Sequence, residues 1–286
     1  MNVADGGSWP FKVTRDQGVT TITLDRAEKL NALTFEIYKE LAIFLRRDAK
    51  LVADWQFAPN LAGGEPVRFC PGTRAIVITG AGRAFCSGGD VEDIIGQLFE
   101  KDLQGLLAFT RMTGDLVRAM REHPAPVVAA INGIAAGAGA IIAMASDLRI
   151  ASDKGRVSFL FNKVGLAGAD MGACHLLPRI VGQGRASELL YLGDVINAEE
   201  AHRIGFFNRV VPADALLAEA TAIAHRMAEG PHFANTVTKV QLEREMDVSL
   251  SAAIEMEAQA QAICMVHPDF REAFDAWTEK RPPRFK

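Results

Sequence analysis

The sequence predicts an α/β core followed by a helical C-terminal region. Two apolar segments, residues 75–79 (AIVIT) and 127–131 (VVAAI), read as buried strands, and each precedes a glycine-containing turn and a helix-competent segment. That strand–turn–helix repetition is typical of α/β domains. From about residue 185 the chain turns helical. We therefore predict an α/β core over residues 1–210 and a helical region over residues 211–286.

The first half contains further strand and helix signals. Residues 19–24 (VTTITL) alternate and are rich in β-branched side chains, which predicts a strand. Residues 34–50 repeat apolar side chains at helical spacing. Residues 52–73 carry Pro and Gly without any period, so we expect a long loop there. Residues 148–150 (LRI) predict another short strand.

The second half contains the signals of successive helices. Asn197 and Glu200 form a capping-box pattern for a helix that ends at Gly205. Residues 213–229 place apolar side chains on one helical face. Three more helical segments follow, at residues 233–246, 249–265 and 270–280.

Composition excludes several classes of partner. A formal net charge of −4 and the absence of Lys/Arg runs argue against nucleic acid and anionic membrane surfaces. The N-terminus shows no secretory signal, and the apolar stretch 127–145 is interrupted by Asn132, so it reads as a buried strand and helix. The cysteines lack metal-ligand spacing, which predicts reduced thiols in a cytoplasmic protein without structural zinc. They are Cys70, Cys86, Cys174 and Cys264.

Three glycine-containing turns are candidates for ligand binding. A dinucleotide fingerprint that starts at Gly80 would need glycine at position 85, which is Phe85, so no such site is predicted. The turns at residues 84–90 (AFCSGGD) and 131–139 (INGIAAGAG) each lead from a strand into a helix, where free N–H groups favour negative charge. If they converge, they form an oxyanion hole. The alternative is close strand–helix packing that merely requires small residues.

Seven segments in order resemble the crotonase (enoyl-CoA hydratase/isomerase) superfamily. LDRAEKLNAL (24–33) resembles its opening strand and turn, and AFCSGGD (84–90) and INGIAAGAGA (131–140) resemble its two oxyanion segments. SDLRIAS (146–152), LLPRIVG (176–182), AEEAHRIGFFNRVV (198–211) and FDAWTEKRPPRF (274–285) resemble its later landmarks. The resemblance implies a spiral of repeated ββα units and a C-terminal helical trimerisation region. It also implies a homo-trimer or a hexamer built as a dimer of trimers.

The resemblance also implies which residues bind an acyl-CoA thioester. In the family two main-chain N–H groups bind the thioester oxygen, and by position these are Gly89 and Ala138, the latter usually glycine. The main-chain stretch that wraps coenzyme A corresponds to Asn31, Ala32, Leu33, Ala84, Phe85, Ser87, Asp90 and Gly137. Candidate partners of the CoA phosphates are Arg26, Lys29, Lys280 and Arg281, each of which could instead be a solvated surface charge. Coenzyme A enters as part of the substrate, and we expect no other cofactor.

The sequence departs from the family at the positions of the two hydratase glutamates. Those positions hold Ile141 and Lys163, so a two-glutamate hydration mechanism does not transfer. Asp170, in GLAGADMG (165–172), resembles the acid of dienoyl-CoA isomerases if one gap is allowed. The alternative for Asp170 is an N-cap of the next helix. Glu92 could also face the pocket, although an exposed position near a helix N-terminus is its alternative.

The sequence therefore predicts an enzyme that stabilises a thioester enolate and acts on an enoyl-CoA with a single carboxylate. A double-bond shift needs one group to take and return a proton, so the single carboxylate favours isomerase-like chemistry over water addition. A thioester hydrolase and a non-catalytic acyl-CoA-binding or protein-binding relative are the alternatives. The sequence does not identify the acyl group.

Overall fold

The computed structural model describes residues 9–56 and 72–285. Its strands are β1 (Lys12–Asp16), β2 (Val19–Leu24), β3 (Ala75–Gly80), β4 (Ala84–Cys86), β5 (Val127–Ile131), β6 (Ile134–Ala136), β7 (Leu148–Ser152), β8 (Arg156–Ser158), β9 (Ile196–Asn197) and β10 (Arg209–Val211). Its helices are α1 (Phe35–Gln56), α2 (Gly96–Leu98), α3 (Leu103–Glu122), α4 (Ala138–Ala145), α5 (Ala173–Val181), α6 (Gln183–Leu192), α7 (Ala198–Arg203), α8 (Leu216–Ala228), α9 (His232–Arg244), α10 (Leu250–Val266) and α11 (Pro268–Thr278). A π-helical turn, Val91–Ile95, precedes α2.

The strands form two sheets, and the chain alternates between them from β3 to β8. The larger has the order β1-β2-β3-β5-β7-β10 and the smaller has the order β4-β6-β8-β9. Three successive pairs, β3/β4, β5/β6 and β7/β8, each give one strand to each sheet, and neighbouring pairs run parallel. Helical segments follow each pair. This arrangement confirms the predicted spiral of ββα units.

The larger sheet is covered on both faces. All six residues of β3 and all five of β5 are buried, as expected for parallel strands between two helical layers. One face packs against apolar residues of α1, α3 and α4. The other face packs against α8, through Leu216, Ala220 and Ala224. The sheet is therefore a rigid platform, and the turns at its edge are held in fixed positions.

The predicted elements are present, with one correction. Helix α1 continues to Gln56, so the prediction that a loop begins at residue 52 was wrong. Residues 52–56 contain neither Pro nor Gly, so nothing in them ends the helix. The part of the predicted loop at residues 57–71 lies outside the described residues. Asn197 caps α7 as predicted, because its Oδ1 accepts the Glu200 N–H at 2.9 Å.

The last two helices leave apolar side chains in solvent. Helix α10 buries none of its residues, and Leu250, Val266 and Trp277 are 77%, 83% and 79% exposed. Such a run of large exposed apolar residues on a folded chain indicates an interaction surface. Within the part of the chain that the structure describes, no helix combines the length and apolar character needed to cross a membrane.

Candidate active site

The two glycine turns predicted from the sequence lie against each other. Strands β4 and β6 are parallel neighbours, so the turns that follow them leave the small sheet side by side. Gly88 has a φ of +105°, which side chains rarely adopt. A Cβ on Gly88 would lie 3.0 Å from the Ala136 carbonyl oxygen and 3.6 Å from the Ala138 nitrogen. Glycine at position 88 is therefore required for the contact between the turns.

Each turn presents a free main-chain N–H group. Gly137 N–H is used, because it donates to the Ser158 carbonyl at 2.9 Å, and Ala138 is then the first residue of α4. Over residues 9–56 and 72–285, neither the Gly89 N–H nor the Ala138 N–H has an acceptor. The α4 N-terminus adds partial positive charge at the second donor. The adjoining turns thus offer two donors to an oxygen.

Leu33 and Asp90 fix the first donor in position. Leu33 N–H donates to the Gly88 carbonyl at 2.8 Å, and Asp90 N–H donates to the Leu33 carbonyl at 2.9 Å. These two hydrogen bonds lie on either side of Gly89. Together they form a single parallel β-bridge between Leu33 and Gly89. Ser87 N–H donates to the Leu30 carbonyl at 3.0 Å in the same ribbon. The predicted CoA-wrapping stretch and the first turn are therefore adjacent.

Arg26 stabilises this ribbon through hydrogen bonds and an ion pair with Asp90. Its Nη1 donates to the Ala32 carbonyl at 2.7 Å and to Asp90 Oδ2 at 3.1 Å. Asp90 is buried and its Oδ1 accepts the N–H groups of Glu92 and Asp93 at 3.0 and 3.1 Å. The Asp93 N–H, with the Glu92 N–H and Arg26, holds the pKa of Asp90 below its usual value. Arg26 is 23% exposed and engaged within the protein, and its role at the CoA phosphates stays a prediction.

Two asparagines hold the main chain that leads into β4. Asn31 is buried and its Nδ2 donates to the carbonyls of Ala81 and Ala84 at 2.9 and 2.8 Å. Asn132 Nδ2 lies within 3.1 Å of the Ala84 carbonyl and also contacts the Gly80 and Gly82 carbonyls. Asn132 had no predicted role, although a lone amide in an apolar run was a usable signal. Ala84 and Phe85 are themselves buried core residues.

The remaining cationic candidates lie at the surface. Lys29 Nζ pairs with Glu92 Oε2 at 2.9 Å, and the two side chains are 47% and 80% exposed. Arg281 pairs with Glu272 and Glu279, both at 2.6 Å. Lys280 has no hydrogen-bond or ion-pair partner for its side chain among the residues described, and it is exposed. The Glu92 carboxylate is therefore a surface group paired with Lys29.

The positions of the two family glutamates hold no acid. Ile141 is fully buried in α4, and Lys163 is half-exposed and pairs with Asp194 at 2.7 Å. Asp170 lies in the segment 165–172 that follows Lys163, and it is half-buried. Burial raises its pKa, opposed by a hydrogen bond from the Met171 N–H. The pKa direction suits a group that exchanges a proton.

Asp170 does not cap the helix that follows it. Helix α5 begins at Ala173, and its N-cap residue is Gly172, which has no side chain to offer. Asp170 contributes only its main-chain carbonyl, which accepts the Ala173 N–H at 2.9 Å. In the part of the chain that is described, no Lys, Arg or His pairs with this carboxylate. Apart from the bond from the Met171 N–H, its oxygens are therefore available to a ligand.

Tyr38 lies close to the first donor and was missed by the sequence analysis. It is 3% exposed, on the buried face of α1. Its hydroxyl oxygen would be 3.9 Å from a Cβ placed on Gly89. The usable signal was its position among apolar residues at helical spacing.

No candidate metal site is found within the described ranges. No group of three or more His, Cys, Asp and Glu side chains gathers there in a way that could hold a metal ion.

These features define a ββα-spiral protein with paired main-chain donors between two turns. Residues 65–286 match the model of the family described as enoyl-CoA hydratase/isomerase. The chain belongs to that family, whose members act on acyl-CoA thioesters. The sequence resemblance is thereby confirmed.

Named relatives match three quarters of the chain or more. A 1,2-epoxyphenylacetyl-CoA isomerase of Escherichia coli is 32% identical over 270 residues, which are 94% of this chain and 95% of that protein. A crotonyl-CoA hydratase of Syntrophomonas wolfei is 36% identical over 217 residues, 75% of this chain and 81% of that protein. A crystal structure of a candidate enoyl-CoA hydratase from Streptomyces coelicolor superposes with a TM-score of 0.90 at 44% identity, over 100% of this chain and 98% of that one.

Proposed function

We propose that this enzyme binds an enoyl-CoA and stabilises its thioester enolate with the N–H groups of Gly89 and Ala138. The observation that carries the proposal is the pair of free donors in two turns that contact each other. Donors fixed in this way cost no reorganisation when negative charge develops on the thioester oxygen. The α4 N-terminus further favours that charge.

Asp170 is the proposed proton-transfer group. In a double-bond shift, its carboxylate takes a proton from C2 of a 3-enoyl-CoA, and the electron pair moves onto the thioester oxygen as a dienolate. Asp170 then returns the proton to C4, and the double bond ends between C2 and C3. One carboxylate with a raised pKa suffices for both steps.

Water addition is the second candidate reaction. One relative is named a crotonyl-CoA hydratase, while another is named a 1,2-epoxyphenylacetyl-CoA isomerase. Hydration has two requirements: a water molecule must be held beside C3, and it must be deprotonated. With Ile141 and Lys163 at the glutamate positions, Asp170 would need a second polar group to do this.

The exposed apolar residues of α10 and α11 support an assembly of identical chains. Burying Val266 and Trp277 against another subunit would remove large apolar surfaces from water. We propose a homo-trimer, or a hexamer made of two trimers. We also propose that the enzyme is cytoplasmic and requires no metal or redox cofactor.

A product assay with three acyl-CoA substrates tests the reaction. Crotonyl-CoA reports hydration, a 3-enoyl-CoA reports the double-bond shift, and a saturated acyl-CoA reports hydrolysis through release of free thiol. We expect conversion of the 3-enoyl-CoA to the 2-enoyl-CoA. Free thiol as the main product would identify a hydrolase, and acyl-CoA binding without any product would identify a non-catalytic relative.

A further inference from the structure

Tyr38 places an unused hydroxyl beside the first glycine turn of the proposed site. Its oxygen lies 3.9 Å from the position of a Gly89 Cβ, and Ile94 Cδ1 lies 3.7 Å from the same position. Phe109 packs edge-on against the Tyr38 ring with centroids 6.5 Å apart, which fixes the direction of the side chain. The ring is therefore held, and its hydroxyl is directed towards the first glycine turn.

The Tyr38 hydroxyl has no hydrogen-bond partner among the residues described, although the side chain is only 3% exposed. The hydroxyl oxygen is not one of the buried side-chain atoms that lack a partner, so it borders accessible space beside Gly89. A bound molecule that supplies the partner would explain why tyrosine stands here.

The electrostatic surroundings of Tyr38 keep its hydroxyl protonated. Burial, the Cys86 thiol and the Asp170 carboxylate together raise the pKa of Tyr38 well above its usual value. The hydroxyl is therefore a hydrogen-bond donor to an oxygen atom beside it.

We propose that Tyr38 is a positioning residue whose hydroxyl donates a hydrogen bond to a ligand oxygen beside the Gly89 donor. This deepens the proposed function and rests on it. The oxygen has two possible sources: the water that adds to an enoyl-CoA, or an oxygen substituent of the acyl group near C3. In either case Tyr38 supplies the second polar group that Asp170 lacks.

The test compares Tyr38→Phe with the wild type and with Tyr191→Phe. Tyr191 is the only other tyrosine in the sequence, and its side chain is 76% exposed. Removing the Tyr38 hydroxyl leaves no protein group unpaired, so the variant should unfold at the same temperature as the wild type or above it. That result separates an unused hydroxyl from a structural one, whose removal would lower the unfolding temperature.

Kinetics with each variant distinguish the two sources of the oxygen. If the oxygen is water, Tyr38→Phe should lower kcat for crotonyl-CoA hydration about 10- to 100-fold with little change in KM, while the 3-enoyl-CoA shift is spared. If the oxygen belongs to the substrate, the variant should instead lower kcat/KM for an oxygen-bearing acyl-CoA only. Equal kinetics for Tyr38→Phe and Tyr191→Phe on every substrate would contradict the proposal.

A binding measurement decides the proposal even if the proposed reactions fail. The wild type should bind 3-hydroxybutyryl-CoA more tightly than butyryl-CoA by about tenfold, and Tyr38→Phe should lose this preference. Tyr191→Phe should keep it. Absence of turnover would overturn the proposed function alone, whereas equal binding of both thioesters by the wild type would overturn the role of Tyr38.

Discussion

The two walls of the proposed site are built in different ways. The proposed thioester-binding wall consists of main-chain N–H groups in two turns, where Gly88 is required by a φ of +105°. The proposed proton-transfer wall consists of side chains, and Ile141 and Lys163 stand at the positions that correspond to the family's acids. Main-chain donors survive most substitutions that leave the turn intact, whereas a carboxylate is lost with one residue. With these proposed roles, one scaffold can keep its binding chemistry while its proton chemistry changes.

The largest expected effect concerns the side-chain wall. Asp170→Asn should lower turnover about 10²- to 10⁴-fold, because a general acid–base group contributes that much. Acyl-CoA binding should persist, since the Gly89 and Ala138 donors are unchanged. Steady-state kinetics and calorimetric binding would measure both. Glu92→Gln is the matched control and should retain activity, because Glu92 is exposed and pairs with Lys29.

The pH dependence should report the same carboxylate. Because burial raises the pKa of Asp170 above 3.8, turnover should fall on the acid side as the pH drops through the raised pKa. In Asp170→Asn this acid limb should disappear from the remaining activity. A raised pKa also means that the ionised group disfavours the fold, so stability is lost as the pH rises through it. At neutral pH Asp170→Asn should therefore be at least as stable as the wild type, and marked destabilisation would indicate a structural role.

The next effect concerns the main-chain wall. Ala138→Pro removes one donor at the first residue of α4, a helix position where proline is well tolerated. Turnover should fall about 10²- to 10³-fold, as for the loss of one oxyanion donor. Gly89→Pro should act in the same way at the other turn. Kinetics on variants that are shown to be folded by circular dichroism would measure the loss.

Matched controls keep the N–H and change only the side chain. Ala138→Gly restores the usual family residue and should remain active. At Gly89, a new Cβ would meet only Ile94 and Tyr38 at 3.7 and 3.9 Å, ordinary contact distances, so Gly89→Ala should remain active too. If proline and alanine at position 89 reduced activity equally, the side-chain space and not the N–H would be the important feature.

The smallest effect tests the packing that joins the two glycine turns. A Cβ on Gly139 would lie 2.1 Å from the Cys86 carbonyl oxygen, so Gly139→Ala must push α4 away from β4. Thermal unfolding should show a loss of about 1–3 kcal/mol in the free energy of unfolding. The control is Gly114→Ala in α3, where a Cβ meets nothing within 4 Å. Removing glycine from a helix interior there should stabilise by about 0.5–1 kcal/mol.

The main-chain half of the site could be predicted from the sequence because its causes are local. Runs of small residues between a strand and a helix, as in 84–90 and 131–139, are required wherever main chain approaches main chain. The family resemblance then identified Gly89 and Ala138, and the structure brings their turns together. The roles of Arg26 and Asn132 depend on contacts with distant segments and could not be derived from spacing alone.

The side-chain half was harder to predict because it depends on register and depth. One gap decides whether Asp170 is equivalent to a family acid, and only the fold gives it a half-buried position without a capping role. Tyr38 went unnoticed because a helical period identifies a buried face but not which member of it has an unpaired hydroxyl. The end of α1 was also missed, because the irregular composition of residues 52–73 hid a last helical turn that ends at Gln56.

A crystal structure with butyryl-CoA is the most direct test of the proposed oxyanion hole, because this saturated thioester cannot undergo a double-bond shift. The thioester oxygen should lie about 2.7–3.1 Å from both the Gly89 and the Ala138 nitrogens. The acyl C2 and C3 atoms should face Asp170 and Tyr38. A thioester oxygen bonded to only one of these nitrogens, or seated away from both turns, would contradict the proposed oxyanion hole.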